Sequence, residues 1–459
     1  MAGIGFELRK IFGRKTLAAH VWGSLYATMT TIGPSILFAA LLLIINWGIE
    51  RCGGTEIEKT FFISSLVYIS LIAILVSALF NPVLSRYISD RIFENKEEDI
   101  GASLFGVLAI SSVISGILGA ALCLALYYFD HIPLSFLMVY YWFCVCMSHT
   151  YILITYISAL KKYKEVTFSY LIGVFITLGV FLIGYEYGHI PLIFAVYIGL
   201  TLGFLVTNVS LVYQCIRAFG WPMHRYFDFL PYFRRYPGLM MSGITYILGF
   251  YSSSIIYWFF SDMQVKIGIF RTTPQYDAAL FLALIINLPS LVIFVVKVET
   301  VFYEKYIVYL SALNKGSFEI IEKERKSMVD TINLQLFFIY EIQFIITVIC
   351  ICLINIFFPY LGISSDILNN FMVLGIGIYC VFCMYITIIF LYYYEDYKSA
   401  CIAGSTFFIV ATFVAIIIVS IGAPYYSLPI LVGGIVGWVI SFTLLRKRLH
   451  HLNAFLVCR

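Results

Sequence analysis

Residues 217–237 read "RAFGWPMHRYFDFLPYFRRYP", a basic and aromatic segment carrying Pro222, Pro231 and Pro237. It stands between two apolar runs, each with the roughly 20 residues that a helix needs to cross a bilayer. Working outward, the same test finds six runs on either side: 21–47, 61–85, 101–129, 134–160, 166–187 and 190–216 before it, and 239–260, 278–302, 333–358, 367–393, 399–421 and 428–445 after it. The segment therefore reads as a linker between two halves. The expected organisation is an amphipathic helix over 1–20, a six-helix lobe over 21–216, a linker over 217–238, a second lobe over 239–446 and a tail over 447–459. The fold class is all-α and polytopic, with twelve transmembrane helices.

Composition requires the same answer. With 62% of 459 residues hydrophobic, 12% charged and a mean hydropathy of +0.96, the chain has too little polar surface to be a water-soluble domain. The formal net charge of +4 does not mark a nucleic-acid binder, because most basic residues stand at the ends of apolar runs, where they orient helices. The 11 cysteines lie mostly inside the runs. Pairs such as Cys144/Cys146, Cys350/Cys352 and Cys380/Cys383 lack the loops and further ligands of a zinc site and read as small hydrophobes. No metal or cofactor is expected.

Twelve spans put both termini and every second loop on one side of the membrane. Of the 29 Lys and Arg residues, only Arg51, Lys59, Lys266 and Arg271 fall on the other side. Positive charge marks the cytoplasmic side, so both ends are predicted inside. A miscounted helix would scramble this asymmetry.

The opening "MAGIGFELRKIFGRK" places Ile4, Leu8, Ile11 and Phe12 on one helical face with Arg and Lys between them. A secretory signal would have a shorter apolar core and a small-residue cleavage site, and residue 2 is not the glycine that myristoylation needs. The expectation is a cytoplasmic surface helix that docks the anionic leaflet or a partner through Ile4, Leu8 and Phe12.

The external connections are short, the longest being about "SDMQVKIGIFRTTPQYD" at 261–277, so the working parts are expected within the membrane. The two halves show weak likeness. Each begins with a helix carrying a possible break, at Gly33 and Pro34 in the first and around Gly238 in the second. Each continues into a helix that runs past the membrane with charges on its end. Pro289 in "INLPSL" removes a backbone hydrogen bond in the eighth run, which would leave Asn287 and the Ile285 carbonyl to face a cavity. A hinge and a static kink are both compatible with it.

Ionisable groups at membrane depth are costly and tend to line cavities. His149 and Glu341 are transport-path candidates with Asn287. His149 reads equally as a donor to a neighbouring helix carbonyl, and Glu341 as one half of a structural pair. Lys297 and Glu304 share a helical stripe near the inner end of the eighth run, with Glu299 beside it, and Arg86 and Asp90 pair at i, i+4 below the second. These are gate candidates or snorkelling structural pairs. Nothing resembles a catalytic centre, with no G-x-S-x-G elbow, no phosphate loop and no H-E-x-x-H. Aromatics are abundant at 18% of residues. Most belong to interfacial belts, yet sugar rings stack on such faces and Tyr adds a hydroxyl.

Three stretches together carry a family likeness: "AGIGFELRK" at the start, "RYISDRIFENK" after the second run and "NLPSLVIFVVKVETVFYEKY" in and after the eighth. The chain resembles the PelG family of exopolysaccharide transporters over its whole length. The resemblance implies a flippase-like fold of the multidrug/oligosaccharidyl-lipid/polysaccharide superfamily, with two six-helix lobes around a central cavity. It further implies export of a Pel-type polysaccharide of N-acetylhexosamines, alongside membrane scaffold subunits and a cytoplasmic glycosyltransferase. A flippase for lipid-linked oligosaccharides, a membrane polymerase or acyltransferase, and a purely structural subunit are the alternatives. The short outer loops and the isolated His149 disfavour the enzymes.

The topology makes a direct prediction. Single cysteines replacing Lys59 and Arg271 should react with a membrane-impermeant maleimide from outside, and those replacing Arg234 and Lys323 only from inside. Outside labelling at 234 would overturn the twelve-span reading.

Overall fold

A computed structural model of the chain describes residues 33–450 and 452, apart from 161–162, 189, 222–223, 295–298, 362–363 and 423. Its helices are α1 (Gly33–Arg51), α2 (Glu56–Phe93), α3 (Glu97–Asp130), α4 (Leu134–Leu160), α5 (Tyr163–Glu186), α6 (Leu192–Phe219), the short α7 (Leu230–Arg235) and α8 (Pro237–Phe260). A hairpin of β1 (Val265–Ile267) and β2 (Phe270–Thr272) follows. Then come α9 (Pro274–Asn287), α10 (Pro289–Ile293), α11 (Glu299–Lys315), α12 (Phe318–Phe357), α13 (Ser365–Tyr393), α14 (Tyr397–Ile421) and α15 (Leu428–His450). Among the described residues, eleven helices are long and apolar enough to cross a membrane. The predicted eighth run is the exception, being divided among α9, α10 and the start of α11. Residues Ile4, Leu8 and Phe12 lie outside the described residues.

Helix boundaries follow local chemistry. The Thr55 side chain accepts the Glu58 N–H at 3.2 Å while the Glu58 carboxylate accepts the Thr55 N–H at 2.8 Å, a reciprocal cap that starts α2. The Asp396 carboxylate accepts the Ser399 N–H at 3.2 Å to start α14. Gly422, at φ +66°, ends it with a left-handed residue.

The chain divides into two units. The first comprises Ile32–Ile247 and the hairpin Val265–Thr272; the second includes Leu248–Gln264 and Thr273–Arg459, so the division falls within α8.

In the first unit, α5 and α6 touch backbone to backbone. A Cβ on Gly203 would come 2.5 Å from the Gly173 carbonyl oxygen, and one on Gly199 would come 2.5 Å from that of Thr177. Lipid offers no hydrophobic drive for helices to associate, so close van der Waals contact through small residues supplies it. An aromatic core of Phe143, Tyr140 and Tyr197 joins α4 to α6. At the basic end the linker is tied down as well. Phe229 is fully buried, and Tyr232 of α7 meets Tyr87 of α2 edge to face at 5.1 Å.

The second unit is built around α13, which is buried along most of its length. It receives α15 through Gly377 and Gly434; a Cβ on Gly434 would lie 2.9 Å from the Gly377 carbonyl oxygen. α12 is longer than its apolar run. It starts at Phe318 instead of Asn333 and spans 40 residues, or about 60 Å, twice the ~30 Å hydrocarbon core. Its charged first turns are fixed by Arg325, which holds Glu322 at 2.6 Å and donates to the Leu449 carbonyl of α15 at 2.9 Å.

Gly203→Val should force α5 from α6, because a carbonyl oxygen cannot rotate away as a side chain can. Overpacking of this kind costs ~1–3 kcal/mol, and a lowered melting temperature in detergent checks it.

Candidate transport path

Pro289 lacks the N–H that would continue α9, and the helix stops at Asn287. The Ile285 carbonyl instead accepts the Leu288 N–H at 3.2 Å. Asn287 is fully buried and seated among neighbouring helices. Its amide nitrogen donates to the Ala283 carbonyl at 2.8 Å and to the Gly375 carbonyl of α13 at 3.3 Å. Its oxygen accepts from the Gln343 amide at 3.1 Å and from the Thr347 hydroxyl at 3.2 Å, both on α12. The Gln343 amide also donates to the Ile286 carbonyl at 3.2 Å, capping the broken end. The Gln343 amide oxygen has no partner among the described residues. The break is thus enclosed by a polar knot in an apolar helix bundle.

In the first unit His149 has a partner that its isolation in the sequence conceals. Its Nε2 lies 2.9 Å from the Ser112 hydroxyl of α3. With Leu108, Asn208 and Tyr213 it lines an open, mostly apolar cavity of about 350 Å³. Asn208 bridges helices there, donating to the Cys146 carbonyl at 2.8 Å and accepting from Thr150 at 2.7 Å. Asn208 and Gln343 were missed in the sequence because a lone amide barely interrupts an apolar run.

The same three-dimensional plan recurs in solved transporters. A MOP superfamily transporter from Pyrococcus furiosus superposes with a TM-score of 0.63 at 13% identity, covering 94% of this chain and 96% of that one. A MATE transporter in a bent conformation gives 0.62 at 13% identity, with the same two shares. An outward-facing multidrug resistance MATE family transporter gives 0.60 at 13%, again over 94% and 96%. At these identities the likeness is one of fold. No curated relative matches the chain in sequence. The family model for PelG, exopolysaccharide exporter (EPS-E), matches residues 1–456.

The chain belongs to the PelG family. Its twelve-run pattern, its flippase-like fold and its family agree, and it is an integral membrane protein.

The remaining candidates of this PelG-family chain are dispersed. Glu341 is exposed in the middle of an α12 stripe of Leu334, Phe337, Phe344 and Val348. Arg86 and Asp90 form the expected pair, Nε to Oδ1 at 3.1 Å. Glu304 is exposed on α11. Glu299 begins that helix, and Lys297 lies outside the described residues. Gly33 and Pro34 are the first residues of α1, and what precedes them lies outside the described residues.

A carboxyl that the sequence reading passed over is Asp277, one residue ahead of the eighth run. It accepts from the Trp258 indole at 3.0 Å and the Thr273 N–H at 3.1 Å. Burial pushes it up to about 6, against those hydrogen bonds, which favour the charged form. Its pKa in the folded chain is thus above the usual carboxylate value near 4, so the folded state binds the extra proton. That contribution is full below pH 4 and is lost as the pH rises through 6. Asp277→Asn should flatten the dependence of melting temperature on pH between 4 and 6, measured in detergent.

Proposed function

We propose that this chain exports a Pel-type N-acetylhexosamine polysaccharide across the bacterial inner membrane, with both termini cytoplasmic. A cytoplasmic glycosyltransferase would make the polymer, and membrane scaffold subunits would hold the synthase beside the transporter. The observation that carries this reading is the family match over residues 1–456, joined to a transporter fold. The charge asymmetry of the loops supports the orientation. The chain moves substrate and makes no bonds in it, which accords with the absence of any catalytic motif in the sequence.

Glu341 is the group through which an ion gradient would act. A carboxylate near the middle of a span costs ~2.5–3.5 kcal/mol on insertion scales, and exposed aromatic side chains on its stripe, Phe337 and Phe344, offer faces to sugar rings.

The test is reconstitution. Vesicles bearing the chain and its scaffold subunits, supplied outside with the glycosyltransferase and its nucleotide-sugar, should accumulate polymer protected from an added glycoside hydrolase. Omitting the chain should leave the polymer outside and digestible. Glu341→Gln should lower protected polymer about tenfold at equal protein abundance. Unchanged export would assign the driving force to polymer elongation alone.

A further inference from the structure

The β1–β2 hairpin belongs by sequence to the segment between α8 and α9, yet its contacts are with the first unit. Phe270 is fully buried there, edge-on to Phe61 at 5.6 Å and to Tyr68 at 5.1 Å. Tyr68 also grips the backbone. Its hydroxyl accepts the Arg271 N–H at 3.2 Å and donates to the Arg271 carbonyl at 3.0 Å. The Ser64 and Thr272 hydroxyls are 3.1 Å apart. Phe61, Ser64 and Tyr68 share one stripe of α2 at i, i+3 and i+7. At the hairpin tip the Ile269 N–H donates to the Asp130 carboxylate at 2.8 Å. Gly268 turns there at φ +57°, and Asp130 occupies the space that a Cβ would need.

The residues on either side of the hairpin are held by the second unit. Thr273, next in the chain after the docked Thr272, donates its N–H to Asp277 at the start of α9. Neighbouring Cα atoms are 3.8 Å apart and cannot separate further. On the other side only four residues, 261–264, connect the hairpin to α8, a reach of at most about 14 Å. Movement of the second unit away from this site therefore has to pull β2 off α2 or unwind the first turn of α9.

We propose that residues 265–272 form a releasable strap, docked on α2 and α3 in one state of the transport cycle and freed in the other. The inference rests on the transport reading above, joined to the general expectation that a two-lobed transporter alternates access by rocking one bundle against the other. Its site lies at the end of the bundle that the loop charges place outside.

The docking is compatible with release. A two-stranded hairpin is at best marginally stable alone in water. It keeps its ladder by leaning on Phe61, Ser64, Tyr68 and Asp130, and its apolar anchor is the single buried side chain of Phe270. So few contacts hold a resting state and yield when the equilibrium between two conformations shifts.

Ser64→Cys/Thr272→Cys tests the strap in cells that secrete the polymer. Copper phenanthroline should form the cross-link, seen as a disulfide-linked peptide by mass spectrometry, and secretion should fall at least tenfold, then return with dithiothreitol. Both single-cysteine variants should secrete normally with and without oxidant. Secretion by the reduced double variant keeps the transport reading intact, so the oxidised result speaks for the strap alone. Normal secretion by the fully cross-linked protein would make the hairpin a permanent anchor and overturn the proposal. Failure of the pair to cross-link would overturn it too, since the docked geometry would be wrong. As a second measurement, Thr272→Cys alone, at a position now 3% exposed, should react with an impermeant maleimide several-fold faster in secreting cells than in cells without the glycosyltransferase. Equal, slow labelling in both would count against release.

Discussion

Within a bilayer every backbone N–H and C=O has to find a partner in the protein, because no water is present to take its place. This constraint makes the chain helical wherever it crosses, and it shows most clearly where the helix fails. At Pro289 one N–H is missing. The structure answers with a 3₁₀-type bond from Leu288 to Ile285 and with side-chain amides from Asn287 and Gln343 on the carbonyls of Ala283, Gly375 and Ile286. The break in α9 thus decides what α12 and α13 must carry, and these two helices supply a glutamine, a threonine and a glycine carbonyl at the break.

The same constraint governs how helices meet. Without a hydrophobic force between them in lipid, association depends on closeness and on shared hydrogen bonds. The first unit uses both: glycine contact between α5 and α6, and hydroxyl pairs such as Ser65–Tyr197 at 2.6 Å and Ser103–Tyr156 at 3.1 Å between others. Buried tyrosines are therefore structural in large part. Tyr140 donates to the Ser65 carbonyl at 2.8 Å and Tyr379 to that of Tyr340 at 3.1 Å. The aromatic wealth of the sequence consequently overstates the surface available to a sugar chain. Exposed rings such as Phe337 and Phe344 are the better candidates.

Outside the membrane, stability comes from charge and caps. Arg91 is held by Glu94 at 2.9 Å and lies over the Tyr87 ring at 5.1 Å, and Arg448 donates to the Tyr394 carbonyl at 3.0 Å. These contacts fasten helix ends to their neighbours. They also show why basic residues counted for orientation serve structure at the same time.

Sequence alone determined the all-helical membrane class, the pattern of apolar runs, the charge asymmetry and the family likeness. These are properties of stretches of 20 residues or more, where many weak preferences add. It also located the interruption at Pro289, since proline's missing donor is a local fact. It did not reveal what closes that interruption. Gln343 is 56 positions from Asn287, and one amide in an apolar run leaves almost no trace in hydropathy. Ser112 beside His149, Asp130 beneath Gly268 and Tyr68 against Arg271 were hidden for the same reason. Each joins residues far apart in the chain, and only the packing of whole helices decides which of them meet.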